Sequence, residues 1–126
     1  IEISRFKYLS KEFIERYEYE VYWGCISIYQ KLSEKFIKKH KNKVNWLYIS
    51  YHQNLSEEFI EKFENKIDWN CIFKCQKLSG EFIEKYKKEI DWGYISKQNK
   101  INYLQYKAKN NMISNSDYLK EILKLK

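Results

Sequence analysis

One 23-residue unit recurs four times without insertion, at Leu9–Lys31, Leu32–Asn54, Leu55–Lys77 and Leu78–Lys100. Each copy opens Leu-Ser, passes two mostly charged residues to Phe-Ile, and reaches a Val or Ile. Usually Asp or Asn then precedes Trp, with Ile three further on. A fixed period of this length leaves few folds open, because each unit can bury its apolar face only against its neighbours. The chain therefore reads as all-α, an α-solenoid of stacked two-helix repeats in a single domain over 1–126. Proline is absent and only three glycines occur, which disfavours turn-rich β folds and permits uninterrupted helices.

Each copy divides into two short amphipathic helices. Ser10, Ser33, Ser56 and Ser79 stand where a hydroxyl can accept from the free N–H groups of a first turn. In the third copy Phe59, Ile60, Phe63 and Ile67 then form one apolar stripe. On the opposite face Glu12–Arg16, Glu58–Lys62 and Glu81–Lys85 are spaced for i,i+4 ion pairs. The second helix is opened by Asn45, Asp68 or Asp91 and carries Trp, Ile and Gln at spacings of three and four. Gln30, Gln53, Gln76 and Asn99 fall beside Trp and Ile on the packed side, which predicts a ladder of amides bonded to neighbouring backbone. Residues 1–8 read as the second half of a truncated unit, and 101–126 as a divergent C-terminal cap with a last helix over Asp117–Leu123.

The run Leu55-Ser56-Glu57-Glu58-Phe59-Ile60-Glu61-Lys62 through Asp68-Trp69 resembles a short tandem repeat found in proteins of giant DNA viruses and bacteriophages. The resemblance covers Ile3 to Lys100. It implies an all-helical array and a viral or phage origin, and it carries over no catalytic residue.

Chemistry-bearing motifs are few. Cys25, Cys71 and Cys75 have neither disulfide nor zinc spacing and read as free thiols of a reducing cytosol, here a host cytoplasm. His40 takes a position held by Tyr17, Phe63 and Tyr86, so it reads as a ring substitute; His52 is expected to be exposed. No phosphate-binding loop, Ser-His-Asp set or paired-carboxylate motif occurs. No enzyme activity, cofactor, metal or membrane span is expected. A chain starting at Ile1 rather than methionine suits processing or excision from a longer one.

If the shared positions are packing, function lies where the copies disagree. On the second helix these are Gly24, Leu47, Asn70 and Gly93, and Ile28, Tyr51, Lys74 and Lys97, with Tyr48 and His52 beside them. The net charge of +7 is uneven: the second copy holds five lysines and one acid. Lys35 and Lys38 replace glutamates there, Lys35 and Lys39 repel at i,i+4, and Lys41 and Lys43 complete a basic patch. The partner-facing set is thus Lys35, Lys38, Lys39, Lys41, Lys43, Leu47, Tyr48, Tyr51, His52, Asn70, Lys74 and Lys97. The leading expectation is a non-catalytic protein-binding scaffold, such as a viral or phage antagonist that occupies a host enzyme or defence complex. RNA or single-stranded DNA binding through lysines and tyrosines is the alternative. A structural segment of a larger array is the third.

Overall fold

The computed structural model describes residues 8–126, and the described chain is all-helical. Its helices are α1 (Lys11–Arg16), α2 (Trp23–Tyr29), α3 (Glu34–Lys39), α4 (Trp46–His52), α5 (Glu57–Lys62), α6 (Trp69–Cys75), α7 (Gly80–Lys85), α8 (Lys97–Lys109) and α9 (Asn115–Lys124). The chain divides into two compact units, with the boundary between Asp68 and Trp69. The half-repeat expected at 1–8 lies, but for Tyr8, outside the described residues.

In the first unit the serines behave as their position predicts. Ser10, Ser33 and Ser56 accept from the amides of Phe13, Phe36 and Phe59. Asn45 likewise caps α4 by accepting from Tyr48 N. Helices of six or seven residues do not persist alone, so packing must hold them. Ile14, Ile37 and Ile60 from the first helices and Ile26 and Ile49 from the second are fully buried. Each tryptophan lies on the aromatic pair of the next copy: Trp23 on Phe36 and His40, Trp46 on Phe59 and Phe63. His40 is the buried ring its position predicts.

The polar ladder joins the copies. Gln53 Nε2 donates to Ser27 O at 2.8 Å and Gln30 O at 2.7 Å, while its Oε1 accepts from Leu32 N at 3.0 Å. One side chain thus satisfies two carbonyls at the end of α2 and the amide that leads into α3. Gln30 Oε1 receives Leu9 N in the same way. A second link comes from a residue the repeat pattern left unremarked. Ser27 Oγ donates to Trp23 O and accepts from Asn45 N; Ser50 Oγ donates to Trp46 O and accepts from Asp68 N. The serine hydroxyl of one copy therefore holds the start of the next copy's second helix.

The second unit departs from the expected register. Phe73 takes the place of Ser27 and Ser50, is fully buried, and offers no hydroxyl to Asp91 N. The helix expected from Asp91 does not form there. Trp92-Gly93-Tyr94 makes a turn, Ser96 N donates to Phe73 O, and α8 starts after Ser96, whose Oγ accepts from Asn99 N. Asn99 still completes the ladder, donating to Phe73 O and Gln76 O and accepting from Leu78 N. The boundary expected between Lys100 and Ile101 falls inside a continuous helix, with Asn102 in α8 donating to Leu78 O. This helix crosses α7 so closely that a Cβ on Gly80 would lie 2.2 Å from Tyr106 Cβ and 2.5 Å from Asn102 O. The last helix is present with Ser114 as its cap, longer at both ends than expected.

Gln53→Leu removes the donors of two buried bonds and the acceptor of a part-buried one, and should lower stability to urea by about 2–4 kcal/mol. Asn54→Ala, at an exposed neighbour, should change it by no more than about 0.5 kcal/mol. Equal midpoints for the two variants would show that the ladder carries no stability. Gly80→Ala should cost about 1–3 kcal/mol by driving α8 off α7. Gly93→Ala, whose Cβ meets only Asp91 Oδ1 at 3.3 Å, is the contrast and should melt near the parent temperature.

Candidate interaction surface

The first unit carries nine of the twelve residues expected to face a partner, and the structure sorts them into two groups. Lys35, Lys38, Lys39 and Lys41 are exposed on and just after α3, with Lys43 half-buried. Leu47, Tyr51 and His52 are exposed on α4, and Tyr48 is half-buried with its ring edge over Gly24. Tyr51 and Tyr48 each pack a ring against His52, at 4.7 and 6.4 Å between centroids. The aromatic surface extends to α2, where Ile28 and Tyr29 line with His52 a shallow cavity of about 250 Å³.

The lysines are not equivalent. Lys39 Nζ pairs with Glu15 Oε2 at 2.6 Å, and the same oxygen meets His40 Nε2 at 2.9 Å. Lys43 lies 4.0 Å from Glu18 Oε2 and 4.2 Å above the centre of the Tyr19 ring. Two of the five are therefore drawn to carboxylates of the preceding copy. Their pull runs between copies rather than along a helix, and neither Glu12–Arg16 nor Glu58–Lys62 forms an ion pair. Arg16 lies instead over the Tyr17 ring. Glu15 gives Lys39, the lysine expected to repel Lys35, a counter-charge. A further like-charge pair lies between copies, where Lys38 meets Lys62.

Lys62 escaped the sequence reading because its i,i+4 spacing from Glu58 assigns it a partner along its own helix. The Lys38 amino group, within hydrogen-bonding reach, holds the Lys62 ammonium below the usual lysine range, and Lys41 adds to the effect. The signal was present in the register: Lys38 and Lys62 stand one period after Glu15 and Lys39.

In the second unit Asn70 and Lys74 are exposed on α6, as expected. Lys97 is exposed too, yet it is the first residue of α8, capped by Ser96, instead of sitting on a counterpart of α6. Trp92, read as framework, stands 45% exposed and stacks on Tyr103 at 5.4 Å. With Lys100, Lys107 and Leu104 it lines a cavity of about 550 Å³. Among the described residues Cys25, Cys71 and Cys75 form no disulfide, and burial pushes the Cys75 thiol above its ordinary range. Among the described residues no group of three His, Cys, Asp or Glu could hold a metal ion, and no helix is long and apolar enough to cross a membrane. No protein-family model, curated protein or solved structure matches the chain.

Glu15 is held below the ordinary carboxylate range first by the bond from Lys39 and then by that from His40. A carboxylate favoured in the folded state adds stability above its unfolded value near 4.5, and loses it as pH falls through the lowered one. Glu15→Gln should therefore flatten the acid limb of the stability curve at low salt, leaving the slope due to Glu84 and Glu121, which are also lowered. A variant whose unfolding midpoint tracks the parent at every pH from 7 down to about 3 would contradict this role for Glu15.

Proposed function

We propose that the chain is an α-solenoid of stacked two-helix repeats that serves as a non-catalytic protein-binding scaffold. The support for stacking is local and repeated: in each unit an amide 23 residues on reaches back to the carbonyl of its counterpart. The support for protein binding is the strip on α4. Framework residues of the second helices are consumed inside, with Ile26 and Ile49 at 0% exposure, while Leu47 and Tyr51 remain 49% and 43% exposed. Tyrosine is enriched at the centre of protein interfaces, so Tyr51, exposed on α4 beside the apolar Leu47, is the kind of residue a protein partner buries.

A nucleic-acid surface has weaker support. Lys39 and Lys43 already answer Glu15 and Glu18, so the second copy offers phosphates fewer charges than its composition suggests. The giant-virus and phage resemblance suits a protein that occupies and blocks a complex of its host.

The full chain and its Leu47→Ala/Tyr51→Ala variant, checked for equal helicity, would each be used to capture proteins from the native host. A defined protein should be retained by the parent and held at least about ten-fold more weakly by the variant. Equal retention by both would remove the strip from the interface. Tight binding of mixed RNA or single-stranded DNA that collapses steeply with salt would favour the alternative.

A further inference from the structure

The two junctions between copies in the first unit are built from corresponding positions but carry different charges. At the first, Glu15 lies between Lys39 at 2.6 Å and His40 at 2.9 Å. At the second, Lys38 occupies the glutamate's position, Lys62 that of Lys39, and Phe63 that of His40. The flanking framework is unchanged, since Ser33 and Ser56 cap α3 and α5 identically and Trp46 packs on Phe59 and Phe63 as Trp23 does on Phe36 and His40. The second junction therefore lacks one carboxylate and holds one cation too many.

The gap opens on a groove. Lys35, Lys38 and Lys62 line it with Ser56 and Phe59, around a volume of about 340 Å³. The acids in its wall do not fill the vacancy. Glu34 is bound by Ser56, accepting from its N at 2.6 Å and its Oγ at 2.9 Å. Glu58 forms no ion pair with either lysine. In Lys62 the excess is visible as an ammonium held below its usual range, first by Lys38.

We propose that an acidic side chain of a protein partner docks between Lys38 and Lys62, taking the place that Glu15 holds one junction earlier. The proposal rests on the scaffold reading and names the chemistry of the partner at this junction. A carboxylate is favoured over a phosphodiester strand because the neighbouring junction shows a carboxylate seated in the same helical frame. Exposed pairs of this kind steer and orient a partner more than they tighten it.

The test uses the full chain with isotope-labelled lysines, titrated at low salt with an acetylated tetraglutamate amide and with a uridine oligomer of equal charge. The peptide should move the Cε signals of Lys38 and Lys62 saturably. Lys38→Glu, which restores the glutamate, should weaken that response by about two- to five-fold. The same variant should melt higher than the parent at low salt, by a margin that shrinks as salt is added. Shifts spread evenly over all lysines, an unchanged response in Lys38→Glu, or tighter binding of the uridine oligomer would each overturn the proposal. Leu47→Ala/Tyr51→Ala should leave the peptide response intact, so a failure of the α4 strip is read separately from a failure of this groove.

Discussion

A side-chain amide that bonds backward to the preceding copy is the interaction on which the rest depends. Helices of six or seven residues leave a large share of their backbone groups without partners inside the helix. Buried, those groups would each cost enough to cancel the gain from packing an isoleucine. Gln53 removes the difficulty by serving Ser27 O, Gln30 O and Leu32 N at once. Asn99 does the same for Phe73 O, Gln76 O and Leu78 N. Short helices are therefore tolerable only where a next copy supplies the amide. The period is the distance along the chain at which that amide returns.

A single change in a repeating contact can redirect the chain beyond it. Ser27 and Ser50 each hold the first amide of a later helix, and Phe73 cannot. With that anchor gone the chain turns at Trp92, begins α8 at the next available serine, and carries the helix straight through the place where a loop stood in other copies. Gly80 accompanies the change, because only a residue without Cβ lets α8 lie so near α7. Trp92 then leaves the kind of site its counterparts occupy and becomes one wall of an open cavity.

Charge obeys the same rule of position against neighbour. Pairs that look favourable along a helix, such as Glu58 and Lys62, give way to partners one copy away. Lys39 is neutralised by Glu15, while Lys38, on the same helix, meets a second lysine. The basic patch thus separates into lysines that meet a carboxylate of the preceding copy and one that meets a second lysine. The exposed side chains of α4 add apolar area beside them.

Much of this was legible in the residues. The apolar spacing and serine caps determined the helices, because those preferences act within one turn. The repeated Gln predicted the ladder, and the replacement of a ring position by His40 predicted its burial. The exposure of Leu47, Tyr51 and His52 came from the face they share. Not legible were the start of α8, the role of Lys62 and the release of Trp92. Each is decided by a contact between residues far apart along the chain, where a hydroxyl is present or missing and a carboxylate is present or replaced. Sequence alone determined that the chain is helical and where its copies differ, since both are local properties. Only the tertiary structure decided which of those differences reset the fold and which leave a charge unanswered, since that depends on the residue each one meets.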